Sequence, residues 1–505
     1  MKNSPPTNEH EQHFRTEHLK ADLKGRSVRG GAVTLFAQVC KFVLQLGSTV
    51  VLARLLTPQD YGLIGMVTAV TGFVSLFRDM GLSMATIQKA EINHRQVSTL
   101  FWVNLGISVV TMLVTIAIAP AIALFYGEPR LTLITIVSAI GFIFGGLSVQ
   151  HYALLNRQMR FTALALNEIT AMLLGITTGI VLAWYGMSYW ALVILQLVST
   201  ICATIGVWLL CRWRPGLPSL HSGIREMLTF GGNLTGFNIL NYFARNFDNV
   251  LVGRYLGAGQ LGLYAKAYQL LLLPIQQING PITSVAIPAL SRLQNEPEKF
   301  CAYYYKSIQM IVTLGMPLVT FLCVVADKLV PTLLGAQWTD AVIIFRVLSL
   351  AAFLGTFNVA SGWVYISLGQ TARQLRWEVF ASTVMLIGFV IGIQWGVIGI
   401  AASFSITSLL VRYPAYVYCF KFTPLKVNTL FGVLWKPAIA SLTAGAILFA
   451  INTYFSFNVN TIISLIISSC LYFLLYIACW LLLPNGRQTL YNMLQTIGKL
   501  KQKSP

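Results

Sequence analysis

The feature that most constrains this sequence is the recurrence of apolar runs about as long as a bilayer is thick. Crossing a hydrocarbon core of about 30 Å takes roughly 20 residues at a rise of 1.5 Å each. Fourteen such runs can be read: 30–55, 61–80, 97–122, 131–153, 161–185, 188–210, 227–254, 262–289, 303–326, 340–367, 377–395, 397–420, 433–452 and 460–483. Runs of this length satisfy their own backbone groups only as helices, so the predicted fold is an all-α polytopic membrane protein of fourteen transmembrane helices. At Gly186 and Gly396 two spans meet with almost no loop. With 56% hydrophobic and 10% charged residues, no stretch is polar enough to form a soluble catalytic domain.

The formal net charge of +19, from 35 Lys+Arg against 16 Asp+Glu, would suggest nucleic acid in a soluble chain. Here the cations follow the membrane. With both termini in the cytoplasm, 27 of them fall on the cytoplasmic side, four on the opposite side (Arg54, Arg130, Arg254, Lys328) and four inside spans (Lys41, Arg245, Lys266, Arg346). That alternation is the positive-inside pattern, so the basic excess is topological and no nucleic-acid partner is expected. Residues 1–27 are polar and lack an apolar core, so they read as a cytoplasmic tail and not a signal peptide; 484–505 read as a basic cytoplasmic tail. The eight cysteines are scattered singly, without the spacing of a metal site. No phosphate-binding loop, nucleophile elbow or zinc-protease motif appears. The expectation is a protein that is not an enzyme and has neither metal nor cofactor.

Shifting the chain by 200 residues superposes VLARLLTPQDYGLIG (51–65) on LVGRYLGAGQLGLYA (251–265), with Arg54/Arg254, Leu56/Leu256, Gly62/Gly262 and Leu63/Leu263 identical. RQMRF (157–161) meets RQLRW (373–377), and Gly186 meets Gly396. Matches in one order at slowly drifting offsets indicate an internal repeat. Six helices per repeat, an even number, give both halves the same orientation. The predicted organisation is two pseudo-symmetric six-helix lobes, 28–210 and 226–420, joined by a cytoplasmic linker, 211–225. Two additional helices follow over 421–483. A substrate site is expected between such repeats.

Polar residues inside the spans carry the functional reading. Gln38, Lys41, Gln45 and Ser48 share one face of the first helix, and Asn238, Asn241, Arg245 and Asp248 occupy the same phases of its repeat mate. Lys266 and Gln269 extend the pattern. A charge at mid-bilayer costs about 2.5–3.5 kcal/mol on insertion scales, so such residues face a bundle interior or a watery cavity. Two readings stand for Lys41 and Arg245: a hydrated cationic cavity holding an anionic group such as a phosphate, or interhelical polar glue with Arg245 paired to Asp248. Glu168 and Asp248 are candidates for coupling to H+ or Na+, against a structural role as satisfied acids. Arg157, Arg160, Arg373 and Arg376, at cytoplasmic helix ends, are candidates for contact with a lipid diphosphate, against the favoured reading of interfacial anchoring together with Phe161 or Trp377. In LLTPQDYG, Thr57 is placed as N-cap, Pro58 at N1 and Asp60 at N3 of a helix. Pro274, Pro281 and Pro288 are candidate hinges, with simple kinked packing the equal alternative.

The stretch ARLLTPQDYGLIGMVTAVTGFVSLFRDMGLSMATIQKAEINHRQVSTLFWVNL (53–105), followed by APAIALFYGEPRL (119–131) and LLNRQMRF (154–161), resembles the polysaccharide-transporter branch of the MOP flippase superfamily, the Wzx-type exporters of O-antigen, colanic acid, teichuronic acid and other exopolysaccharide units. The resemblance implies two lobes in a V shape around a central cavity and alternating access. It also implies translocation of undecaprenyl-diphosphate-linked oligosaccharides across the bacterial inner membrane, in contact with membrane lipids and with a polysaccharide polymerase and glycosyltransferases as candidate partners. It supplies no invariant motif to transfer, so the site residues rest on the polar stripe. A multidrug exporter of the same superfamily, a membrane glycan polymerase and an assembly scaffold remain as alternatives. Lys41 and Arg245 argue against a cationic cargo, the short external loops against a polymerase, and the duplicated stripe against an inert scaffold.

Overall fold

The structure, a computed structural model, describes residues 23–79, 81–89, 92–219, 225–454, 460–484 and 486–488, with the backbone alone at 23–29, 225–241 and 243–245. The expected tails 1–27 and 484–505 therefore lie largely outside the described residues, except that helix already begins at Leu23. The helices are α1 (Leu23–Leu55), α2 (Pro58–Asp79), α3 (Leu82–Gln88), α4 (His94–Tyr126), α5 (Arg130–Arg157), α6 (Phe161–Trp184), α7 (Trp190–Cys211), α8 (Arg225–Arg292), α9 (Pro297–Val324), α10 (Ala326–Leu334), α11 (Ala341–Gly355), α12 (Val359–Ser367), α13 (Thr371–Gly392), α14 (Gly396–Phe420), α15 (Val427–Tyr454) and α16 (Thr461–Leu482).

Among the described residues twelve helical stretches are long and apolar enough to cross a membrane, against the fourteen expected. The difference lies in two compound stretches, Asn246–Arg292 and Thr371–Phe420, of 47 and 50 residues. Each is more than twice the roughly 20 residues that one crossing needs, and each is interrupted by a glycine at positive φ. Gly257 (φ 82°) breaks α8, which runs on as helix through Pro274, Pro281 and Pro288. Gly396 (φ 68°) and its repeat mate Gly186 (φ 78°) both take the left-handed conformation, at the two short turns read from the sequence. A side chain there would strain the backbone, which explains why the repeat keeps glycine.

The chain forms two compact units, Met1–Gly262 and Leu263–Pro505. In the first, α1 packs on α6, α4 and α7 on α5, α7 on α6, and α2 on α4 and α5. Leu82, Phe101, Leu154, Val207 and Trp213 form a core at one end of it. In the second, α9 packs on α15, α14 on α11 and α13, and α16 on α15, around Phe300, Tyr304, Trp363, Tyr416 and Phe420. The start of the linker is strapped to α4. Trp213, fully buried, donates its indole N–H to His94 Nδ1 (3.1 Å), Gly216 N donates to Ser98 Oγ (2.9 Å), and Trp102 Nε1 donates to the Gly216 carbonyl (2.8 Å).

The start of α2 forms as its sequence dictates. Thr57 N and Oγ1 both donate to Asp60 Oδ2 (2.9 and 2.7 Å), Asp60 N donates back to Thr57 Oγ1 (3.3 Å), and Ser188 Oγ donates to the other carboxylate oxygen. This capping box satisfies the free N–H groups of the first turn and ties α2 to the turn before α7. Thr57→Ala is expected to cost about 1 kcal/mol and to lower the thermal transition of the detergent-solubilised protein. An unchanged transition would show that the box contributes nothing.

Candidate functional site

Three helices of the first unit bring their ionisable groups together. Lys41 lies midway along α1, which packs on α6, and Glu168 lies two turns into α6. Lys41 Nζ donates to Glu168 Oε2 at 2.6 Å, and the hydroxyl of Tyr152 on α5 donates to the other oxygen, Glu168 Oε1. The acid that looked solitary in the sequence is thus a bridge between a cation and a phenol. The Lys41 and Glu168 side chains are 37% and 35% exposed, so the pair sits at a surface. Gln38 and Gln45, on the same helix, are exposed. Polar groups exposed at this depth require water or a polar ligand, because lipid tails offer no partner. Ser48 turns its hydroxyl back to the Gln45 carbonyl (3.0 Å). The repeat-mate positions Asn238, Asn241 and Arg245 fall where side chains lie outside the described residues. Asp248 is buried and its Oδ1 accepts from Asn249 N (2.8 Å).

In the second unit Lys266 is only 7% exposed and donates to Gln269 Oε1 at 3.1 Å, a turn away on the same helix. Arg346 pairs with Asp327 (3.2 Å). One cation was misplaced by sequence reasoning. Arg412, counted with the cytoplasmic side although the run 397–420 contains it, lies inside α14 about two turns, or roughly 12 Å, before its end. It donates to the side chain of Asn358 and stacks 5.9 Å over Phe357, at the break between α11 and α12. A broken span opposite a charge was the available signal, but the span 340–367 carries no proline to announce the break.

The paired RQ-Met/Leu-R-aromatic motifs have a common geometry. Arg157 donates to the carbonyls of Thr86 and Ile87 at the end of α3, Arg160 to Leu210 at the end of α7, and Arg373 to Tyr418 at the end of α14 while stacking on the Tyr418 ring. Free carbonyls at a helix C-terminus carry partial negative charge, so these three guanidinium groups close helix ends. Arg376 is exposed. Three further buried groups escaped sequence reasoning: Thr86 donates to Gln150 (2.9 Å), and Gln150 donates to Asn104 (2.8 Å), joining α3, α5 and α4. Among the described residues no cluster of His, Cys, Asp and Glu could hold a metal ion.

Comparison with known proteins agrees with this architecture. A family profile described as "Polysaccharide biosynthesis protein" matches residues 51–343. The "Lipopolysaccharide biosynthesis protein WzxC" of Escherichia coli is 25% identical over 402 residues, covering 79% of this chain and 82% of the relative. The "Teichuronic acid biosynthesis protein TuaB" of Bacillus subtilis is 26% identical over 429 residues, covering 84% and 88%. Among solved structures, "Lipid II flippase MurJ, inward closed conformation" superposes with a TM-score of 0.72 over 90% of this chain and 98% of that one, at 15% identity; the likeness establishes the fold.

Proposed function

The chain belongs to the polysaccharide biosynthesis protein family, whose profile spans more than half of it, and from that premise we propose that it is a flippase for lipid-linked oligosaccharides in polysaccharide biosynthesis. The cargo is an oligosaccharide on undecaprenyl diphosphate, moved across the bacterial inner membrane for O-antigen or exopolysaccharide assembly. The observation that carries this reading is that relatives named for lipopolysaccharide and teichuronic acid biosynthesis align over about four fifths of the chain. Such a cargo combines a tail that belongs in lipid with a sugar head that lipid excludes, so its carrier needs polar groups exposed at membrane depth. Lys41, Gln38 and Gln45 supply them on α1.

In this reading the protein works by alternating access and is not an enzyme: no covalent bond of the cargo changes. Coupling to H+ runs through Glu168. As a carboxylate it holds Lys41; on taking a proton it releases the ammonium, which is then available to the cargo diphosphate. Both termini face the cytoplasm, where glycosyltransferases complete the cargo, and a polymerase on the other face receives it.

Deletion of the gene tests the function. The expected result is loss of surface polymer together with accumulation of the complete lipid-linked oligosaccharide in the cytoplasmic leaflet, shielded from a lectin added to the outer face. Loss of polymer with an incomplete oligosaccharide would instead indicate a role in synthesis and overturn the proposal.

A further inference from the structure

Within the first unit, α2, α5 and α7 line a half-open cavity of about 230 Å3 that the charged residues do not touch. Its polar lining consists of Thr68, Thr71 and Ser75 on α2, Ser138 on α5, and Gln196 and Thr200 on α7. All three helices start from the same face of the unit. At 1.5 Å per residue, these side chains lie roughly 10–25 Å below that end, in the middle of a hydrocarbon core of about 30 Å.

The hydrogen bonding of the lining fixes what it offers. Thr71 donates to the Val67 carbonyl (2.9 Å), Ser75 to Gly72 (2.6 Å) and Thr200 to Gln196 (2.9 Å). Each hydroxyl has spent its proton on its own helix and keeps lone pairs free to accept. Gln196 is exposed and brings an amide with two donors and an acceptor; Thr68 is also exposed. Phe142 adds an aromatic wall. No ionisable side chain lines the cavity. A phosphate would find few donors and no cation here, and an ammonium no counter-charge. A neutral ring rich in hydroxyl donors finds acceptors, an amide and an apolar face. The volume is below the roughly 300–1,000 Å3 of sites for drug-sized ligands and suits a group of about one ring at the end of a longer cargo.

We propose that this cavity is a subsite for one uncharged sugar ring of the cargo, separate from the charged groups on α1 and α6. The inference rests on the flippase reading and adds the chemical class of the group held in the first unit.

The test uses the purified full-length protein in nanodiscs and two probes: a polyprenyl diphosphate, and the same lipid bearing one N-acetylhexosamine. With two or more hydrogen bonds gained by the sugar, the wild type is expected to bind the second probe about tenfold more tightly. Thr71→Val with Thr200→Val and Gln196→Leu should bring the two probes to the same affinity. Gln196→Leu alone, at an exposed position that folding does not need, should reduce the difference about threefold. Equal binding of both probes to the wild type, or a difference that survives in the triple variant, would overturn the sugar subsite alone. Failure of both probes to bind would overturn the flippase reading and this inference with it.

Discussion

Lys41→Ala is expected to reduce polymer export more than tenfold while leaving a membrane-inserted protein. The pair with Glu168 is about one-third exposed at both ends, and a pair so exposed to polar solvent contributes about 1 kcal/mol or less to stability. Its loss should not unfold α1 from α6. The Glu168 carboxylate left behind keeps its hydrogen bond from Tyr152 and is 35% exposed, so insertion survives. Lys41→Met with Glu168→Gln separates the two roles, since it removes both charges and keeps the packing. If the pair only fastens helices, this double variant exports like the wild type, and that result would sink the functional reading. The expected result is normal abundance, measured on membranes, with export still lost. Glu168→Gln alone mimics the protonated acid and should retain cargo binding but lose dependence on the proton gradient in proteoliposomes.

The same pair changes what can be read from the charge. The polar stripe on α1 suggested a net cationic surface, because α1 carries no carboxylate of its own to neutralise Lys41. Helical spacing describes one helix at a time. It contains nothing about which residue of another helix, here 127 positions away, stands opposite. As an ion pair Lys41 and Glu168 are together neutral, so the stripe on α1 is not a net cationic surface at this point.

Features encoded within one turn or one span were legible: the apolar runs, the capping box at Thr57 and Asp60, and the glycines at Gly186 and Gly396. Features that depend on which helix ends become neighbours were not. In the sequence Arg157 and Arg373 read as interfacial anchors or contacts for lipid phosphate, and only the approach of the ends of α3 and α14 gives them carbonyls to bind. The break of α8 at Gly257 illustrates a competition between signals. Three prolines draw notice to the later half, but a proline leaves φ near its helical value and removes one donor, and the helix runs through all three, whereas Gly257 accepts a φ of 82° that ends the helical path outright.

Gly62→Ala and Gly262→Ala are each expected to abolish recovery of folded protein, although each adds a single methyl group. The two glycines are repeat mates, and the first unit places them in reciprocal contact. A β-carbon on Gly62 would stand 1.7 Å from the carbonyl oxygen of Ala258, and one on Gly262 would stand 1.8 Å from that of Pro58. Pro58 and Ala258 are themselves mates at the same offset of 200 residues, so each contact is the image of the other, as at a twofold interface. Real β-carbons essentially never come within 3.0 Å of such a neighbour; to admit one, the start of α2 and the segment of α8 just after Gly257 must separate by more than 1 Å. The obstacle is backbone, which cannot change rotamer, so the penalty should exceed the about 1–3 kcal/mol of ordinary overpacking. Separation would also disturb the capping box one turn away. Gly259→Ala is the control: it lies on the same stretch of α8, nothing stands within 4 Å of its added carbon, and alanine gains about 0.8–1.0 kcal/mol over glycine in a helix. Size-exclusion profiles of the detergent-solubilised proteins should show a normal peak for Gly259→Ala and none for the other two. A normal peak for Gly62→Ala or Gly262→Ala would mean that the two helix segments do not meet backbone to backbone, and the identical glycines in the repeat would need another cause.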